Sequence, residues 1–444
     1  MPIPIQIKNI RLQNHPSARS QAVATVPITE ASKIISVDAF AAVLIASEKG
    51  KRCDGCFQIK SEDRLLRKCT GCGSYWYCDS ICQNMDWKAH HKKICKQYNK
   101  FTSSNAFHSL ASHEKLESLL LDHLLSQVSS ITGRVDEEMS PLGIFMSLLP
   151  GPTVPNRDVL SVCGFEPPIQ PDTVPLLYSR FGNNNFAIHS HLTTIGHGIF
   201  PLASRLFNHS CIPNAAARYI FSAGRPVRME VIALRNISPD SEITIPYLDP
   251  ALYQTRQQIF DLTYGFRCTC FSCHILETLG PIPAPPASSP ELTSIEKTLR
   301  QFTQVESFLD GGLPVIPQTN IPLSMYCVFH ENYITNLSET FSKASHEGHY
   351  NLALDSGTTL LALYLLIYPP NYPQTGIHLL ELAKTAWNMT VGDSGMDYQT
   401  EQATKARVRV FLSLGRRILT VFGPEGDEDG PLREAETLQS LLDP

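Results

Sequence analysis

Long apolar runs are what this chain most plainly lacks. A membrane helix needs ~18 uninterrupted apolar residues, and the most apolar run here, Leu360 to Tyr368, is far too short. The N-terminal MPIPIQIKNIRLQ has neither the basic start nor the continuous apolar core of a signal peptide. An excess of positive charge is also missing: 37 Lys and Arg stand against 42 Asp and Glu, a formal charge of −5. That balance argues against a general electrostatic grip on nucleic acid, which is not an expected partner. Disorder is disfavoured because 43% hydrophobic and 18% charged residues leave ample apolar surface for packed cores. The 444 residues suit two to four domains. The expectation is a soluble monomer of the cytoplasm, the nucleus or both, with no membrane partner. Disulfides are disfavoured in those compartments, so the thirteen cysteines need another explanation.

Seven of them fall in one short segment. Cys53-x2-Cys56 and Cys69-x2-Cys72 are followed by Cys78, Cys82, a histidine pair and Cys95. Zinc takes four soft or borderline ligands in a tetrahedron, and a Cys-x2-Cys knuckle supplies two from one turn. Seven Cys and one His would close two sites. His90 and His91 compete for the eighth place. If DWKAHHKKIC forms one helix, His91 and Cys95 share a face and His90 points away, which favours His91. Residues 53–95 have few large aliphatics, so metal must organise the segment. The lysines around it (Lys88, Lys92, Lys93, Lys96 and Lys100) read as the wet face of a helix.

A second cluster, Cys268-x-Cys270-x2-Cys273, offers three ligands and requires a fourth from elsewhere. Cys211, in Asn208-His209-Ser210-Cys211-Ile212-Pro213-Asn214, is the best candidate. Eleven cysteines would then bind three zinc ions. Cys163 and Cys327 remain, both in apolar settings that suit inert burial.

Between these clusters the patterning alternates. Ala22 to Val26, Lys33 to Val37 and Ala41 to Ala46 read as strands. From Ser103 to Leu149 apolar residues recur at helical spacing, including Leu116, Leu119, Leu120, His123 and Leu124. Strand-like runs resume at Ile188, Ala215 to Phe221, Val227 to Leu234 and Glu242 to Tyr247. The proline-rich GPIPAPPASSP at 280–290 is a semi-rigid linker. Helical patterning continues to about residue 422, with Gly348 to Leu354 resembling the turn of a tetratricopeptide unit but with no clean repeat. The acidic run Glu425 to Asp429 reads as a solvated loop.

The motifs in this order resemble a known family. The cysteine segment, with Tyr75, Tyr77 and Trp87 set among its ligands, is similar to a MYND zinc finger. In that family the sites interleave, so Cys53, Cys56, Cys78 and Cys82 would form one and Cys69, Cys72, His91 and Cys95 the other. NHSCxPN at 208–214, Ser241-Glu242-Ile243-Thr244-Ile245-Pro246-Tyr247 and the CxCxxC resemble the SET signature and its post-SET zinc clip. Asn184 to Ile188 and Gly196 to Pro201 resemble the strands leading into it, and YPPNYPQTGIHLLELAK resembles the family's helical domain. A finger splitting a SET fold is the pattern of the SET-and-MYND (SMYD) family, matched over about residues 17 to 390.

The resemblance implies an α+β fold with a split β core. Residues 1–50 and 183–250 would form the core, with the finger at 53–95 and a helical insert at 96–182. The zinc clip would occupy 251–279 and a helical, tetratricopeptide-like domain 291–444, packed so as to leave a cleft toward the active site. It implies a protein-lysine methyltransferase using S-adenosylmethionine, with a protein tail as substrate and proline-rich peptides as partners of the finger. Tyr247 matches the catalytic tyrosine, and Tyr264 and Phe266 the substrate channel, with Phe266 also over the adenine. Asn184, Asn208, His209 and Tyr247 match cofactor-binding positions. The family's Gly- and Arg-rich N-terminal loop is here Ser17-Ala18-Arg19-Ser20, without glycine. Arg19 and Ser20 are left to meet the methionine carboxylate. Pro246 also departs from the pattern, since it removes a strand donor. A scaffold that keeps the fold and has lost turnover is the competing expectation.

Overall fold

The computed structural model describes residues 7–15, 18–63, 65–130, 140–152, 173–312, 321–392 and 395–443. Cys163 lies outside them, and Cys327 is buried.

Two distant parts of the chain build one β core. Strand Lys33–Asp38 pairs with Arg228–Ala233, which pairs with Ala215–Ile220. Strand Ala41–Leu44 pairs with Thr193–Ile199, which pairs with Asn185–Ser190. All these pairings are antiparallel. Alternation sends Met229, Val231 and Ala233 into the same cluster as Ile35, Ala215 and Tyr219. Glu230, on the opposite face of that strand, is buried but accepts from Lys33 at 2.9 Å and Arg218 at 2.7 Å. A short parallel pair, Asn208–His209 with Thr244–Ile245, brings the two signature segments side by side. Pro246 follows that pair directly, outside the ladder, so its missing N–H leaves no gap there.

The zinc finger docks on this core through Phe57. A Cβ on Gly196 would come within 2.6 Å of the Phe57 ring and of the Val43 carbonyl, so only glycine admits the contact. Within the finger, Asp79 caps helix Ser80–Asp86 by accepting from the Cys82 N–H at 2.8 Å. The stretch expected as one α-helix is widened by a π turn at Trp87–His91 before Lys92–Ile94 resumes the α form. His90 leaves the metal face and stacks on His123, ring centroids 3.5 Å apart. His123 comes from helix Ser112–Ser130, whose Leu120, Leu121, Leu124 and Leu125 pack on Ala41 and Val43.

The C-terminal third is helical. Helices Ser289–Thr303, Glu331–His346, Tyr350–Ile367, Pro373–Gly392 and Tyr398–Phe422 share one apolar core. Gly348, at φ +79°, turns the second into the third. The third, Tyr350–Ile367, is long and apolar enough to cross a membrane by length and composition, with a mean hydropathy of 1.2. Its residues from Ala353 onward are nearly all buried by neighbouring helices, which accounts for that character. Helical structure does not end near 422: Pro431–Leu442 forms a further helix, with Ala435, Leu438 and Leu442 in the same core.

The acidic run Glu425 to Asp429 is only partly the solvated loop expected, since Glu425 and Asp427 turn inward. Glu425 is 7% exposed, and the Gly426 N–H donates to the Tyr219 carbonyl at 2.8 Å. Asp427 takes a two-pronged contact from Arg52, at 2.9 and 2.7 Å, and one from Ser190 at 2.7 Å. Glu428 and Asp429 remain exposed, while Asp427 pins the C-terminal helices to the core and to the start of the finger.

Candidate active site and zinc centres

The structure gathers the twelve expected metal-ligand residues into three groups. These are Cys53, Cys56, Cys78 and Cys82; Cys69, Cys72, His91 and Cys95; and Cys211, Cys268, Cys270 and Cys273. Within each group all ligand atoms lie within 4.8 Å of one another. Neighbouring sulfurs stand 3.6 Å apart for Cys56 and Cys78, 3.7 Å for Cys69 and Cys95, and 3.6 Å for Cys211 and Cys273. Disulfide sulfurs sit at about 2.05 Å, whereas zinc–sulfur bonds of ~2.3 Å give tetrahedral edges of roughly 3.8 Å. The spacing fits metal.

Arg256 supplies an independent sign of charge at the third group. It is 1% exposed, and no carboxylate pairs with it among the described residues. It donates to the Pro250 carbonyl at 2.9 Å and to Ser272 Oγ at 3.0 Å. Burial opposes its charge, but Cys211, Cys273, Tyr253 and Cys270 together outweigh burial and hold its pKa above the ordinary value. Four thiolates on one zinc carry two net negative charges, which is the counter-charge a buried guanidinium requires.

The same clip is wired to the tyrosine. His209 Nδ1 accepts the Tyr247 N–H at 3.0 Å, which puts the ring proton on Nε2, 3.2 Å from Cys211 Sγ. Burial pushes the His209 pKa down to about 4, so the ring is neutral at physiological pH. Tyr247 Oη donates to the Phe207 carbonyl at 2.6 Å. Burial, then Tyr264 and Glu242, push the Tyr247 pKa up, and burial pushes Tyr264 up to about 12. Both hydroxyls therefore stay protonated, and that of Tyr247 is spent as a donor.

Two cavities meet at Tyr247. The larger, of about 680 Å3, is lined by Arg19, Ser20, Asn184, Asn208, His209 and Phe266 among others, a size suited to a drug-sized ligand. The smaller, of about 170 Å3, has Phe186, His189, Tyr219, Tyr372 and Phe422 in its walls. Asn183, Asn184, Ser204, Tyr247 and Tyr264 line both. Tyr372 and Phe422 come from the C-terminal helical part, so that part walls the smaller cavity. No Asp, Glu, Lys or Arg stands among its described lining residues, and burial holds the His189 pKa down at about 4. Such a channel disfavours an ammonium and suits a neutral amine.

All the expected site residues converge here. Tyr247 and Tyr264 lie with ring centroids 5.0 Å apart, and Phe266 meets Tyr247 edge-on at 6.4 Å. Asn208 Nδ2 donates to the Ser20 carbonyl at 2.8 Å and to Glu242 at 2.7 Å. Asn184 Nδ2 donates to the Arg180 carbonyl at 3.0 Å. Sequence reasoning missed Phe260, fully buried between His209 at 4.4 Å and Phe266 at 5.1 Å. It also missed Arg205 and Glu242, which line the larger cavity. Glu242 stands inside the quoted Ser241-to-Tyr247 motif, which was the available signal, whereas Arg205 and Phe260 lie between motifs and carried none.

Comparisons with known proteins agree with this geometry. The SET domain family profile matches residues 22–248, just over half of the chain. Histone-lysine N-methyltransferase ASHR1 of Arabidopsis thaliana is 31% identical over 245 residues, covering 50% of this chain and 46% of its own length. N-lysine methyltransferase SMYD2 of Gallus gallus is 29% identical over 261 residues, 55% of each chain. Human SMYD2 is 28% identical over 272 residues, 56% of this chain and 57% of its own. The chain thus spans about half the length of the curated relatives it matches.

Proposed function

This chain belongs to the SET domain family, and from that premise we propose that it is a protein-lysine N-methyltransferase of the SET-and-MYND branch. Its methyl donor is S-adenosylmethionine, and its substrate is a lysine of a histone or non-histone protein. The single observation that carries the reading is Tyr247 standing where a cofactor-sized cavity meets a narrow, uncharged, aromatic one.

Bound in the larger cavity, S-adenosylmethionine would supply an activated methyl group on a sulfonium. The residues of this chain do the rest. Asn184, Asn208, His209 and Phe266 hold the cofactor, and Tyr264 with the other aromatic walls strips water from the lysine side chain. A lysine of pKa ~10.4 is nearly all ammonium at neutral pH, and a wall without carboxylates lowers the cost of losing that proton. Tyr247, fixed at its backbone by His209 and at its hydroxyl by Phe207, orients amine and methyl in line. The three zinc ions are structural, because each group already offers four protein ligands. At the finger, exposed Leu65 and Trp87 offer apolar contact to a proline-rich peptide.

The test is S-adenosylmethionine calorimetry on zinc-loaded protein, followed by transfer of a labelled methyl group to a lysine peptide library. Binding with lysine-specific labelling is the expected result. Well-folded protein that binds no cofactor would overturn this reading in favour of an interaction scaffold.

A further inference from the structure

The larger cavity has a cationic side. Arg19 and Arg205 both line it. Burial, then Arg19, pull the Arg205 guanidinium below its ordinary pKa. Neither arginine has a carboxylate partner among the described residues. Arg19 donates to the Ser147 carbonyl and Arg205 to Ser20 Oγ. Glu242, the carboxylate among the described lining residues, is engaged by Asn208 instead. Two guanidiniums lining one cavity with no carboxylate partner are unfavourable, and an anion bound there relieves the repulsion.

The local backbone sharpens the point. The segment Ala18-Arg19-Ser20 has no glycine to let the backbone approach a ligand closely, and the Ala18 N–H is already spent on His15 Nδ1 at 2.8 Å. Recognition of an anionic group falls to side chains. Arg205 sits in the last turn of helix Pro201–Leu206, three residues before Asn208, on a rigid element with its guanidinium held by Ser20. A guanidinium presents parallel N–H donors that match a carboxylate.

We propose that Arg205, together with Arg19, anchors the α-carboxylate at the amino-acid end of the cofactor, with Ser20 aiming the guanidinium rather than touching the ligand. The assignment rests on the methyltransferase reading above. It concerns a residue that the motif comparison did not single out.

Two ligands separate the carboxylate from the rest of the cofactor. S-adenosylhomocysteine carries it, and 5′-methylthioadenosine lacks the whole amino-acid end. With zinc-loaded full-length protein, Arg205→Ala is expected to weaken S-adenosylhomocysteine binding about 10- to 100-fold, with 5′-methylthioadenosine binding unchanged. Arg205→Lys, which keeps the charge but not the fork, falls between, and it carries the comparison if the alanine variant does not fold. Equal weakening of both ligands, or no change in either, would overturn the proposal. Wild-type protein that binds both ligands equally well would also overturn it while sparing the cofactor site. Wild-type protein that binds neither would remove the methyltransferase reading itself.

Discussion

The Tyr247 N–H donates to His209 Nδ1 at 3.0 Å, and through that ring the tyrosine is tied to a cysteine of the zinc clip. The placement of the phenol is thereby coupled to the zinc clip, whose Cys268 and Cys270 also line the larger cavity. Cys211→Ser should lower the zinc content from three ions per chain to two, because a clip of three thiolates is left. Cofactor affinity should fall with it, as His209 loses its sulfur partner. Metal analysis and calorimetry on the same sample check both. Three ions retained, or unaltered affinity after loss of one, would break the coupling.

Tyr247→Phe removes the hydroxyl and keeps the ring packed on Tyr264 and Phe266. Turnover should drop on the order of 100-fold, the usual effect of deleting one positioned donor. Cofactor binding should stay near wild type, since the backbone bond to His209 survives. Steady-state kinetics beside calorimetry separates the two, and a variant with full kcat would rule out the hydroxyl's role.

Asp427→Ala should destabilise the protein by about 3 kcal/mol, because it strands a guanidinium that is buried beside the finger. Glu48, 2.7 Å from Arg52 Nε, holds part of the charge and keeps the loss from being larger. Adding Arg52→Met removes the stranded cation and should restore some stability, a cycle read by thermal melting. Equal melting temperatures for wild type and Asp427→Ala would show that the contact carries no weight.

Glu425 gives a pH signature. Burial, opposed by Arg218 and by a bond from the Leu192 backbone, pushes its pKa up from 4.5 to about 8. Tyr219 is the other titratable group beside it. Between these two values the folded protein holds a proton that the unfolded chain has released. Stability is therefore greatest below the unfolded value and is lost as pH rises through the folded one. The change is on the order of 3 kcal/mol between about pH 5 and pH 8. Glu425→Gln should flatten that slope and raise the melting temperature at pH 8. A wild-type slope unaltered in the variant would assign the effect elsewhere.

What was legible in the sequence is what chemistry forces into fixed spacing. Zinc needs four close ligands, so Cys-x2-Cys pairs and His91 with Cys95 announce themselves. The signature Asn208, His209 and Tyr247 came with their neighbours. The π turn at Trp87–His91 was not legible, because its hydrogen-bond shift leaves the residue types of an ordinary helix. Nor was the burial of Glu425 and Asp427, which depends on Arg52, Ser190 and Tyr219 arriving from far along the chain. Acidic runs are usually solvated, and only tertiary partners reverse that. Arg205 was hidden for a similar reason: its meaning lies in Ser20 and Arg19, not in its own helix.

Strand Lys33–Asp38 waits for Arg228–Ala233, with Ile35 opposite Val231, nearly two hundred residues later. At the usual pace of synthesis that delay is roughly 10 to 40 s, and closing so long a loop carries an entropic cost that grows with its free length. The finger lies inside that loop. By knotting residues 53–95 around two ions, zinc would shorten the slack chain that must be gathered before the strands can meet. The metal would then act on the β core before the core exists, as an aid to its assembly.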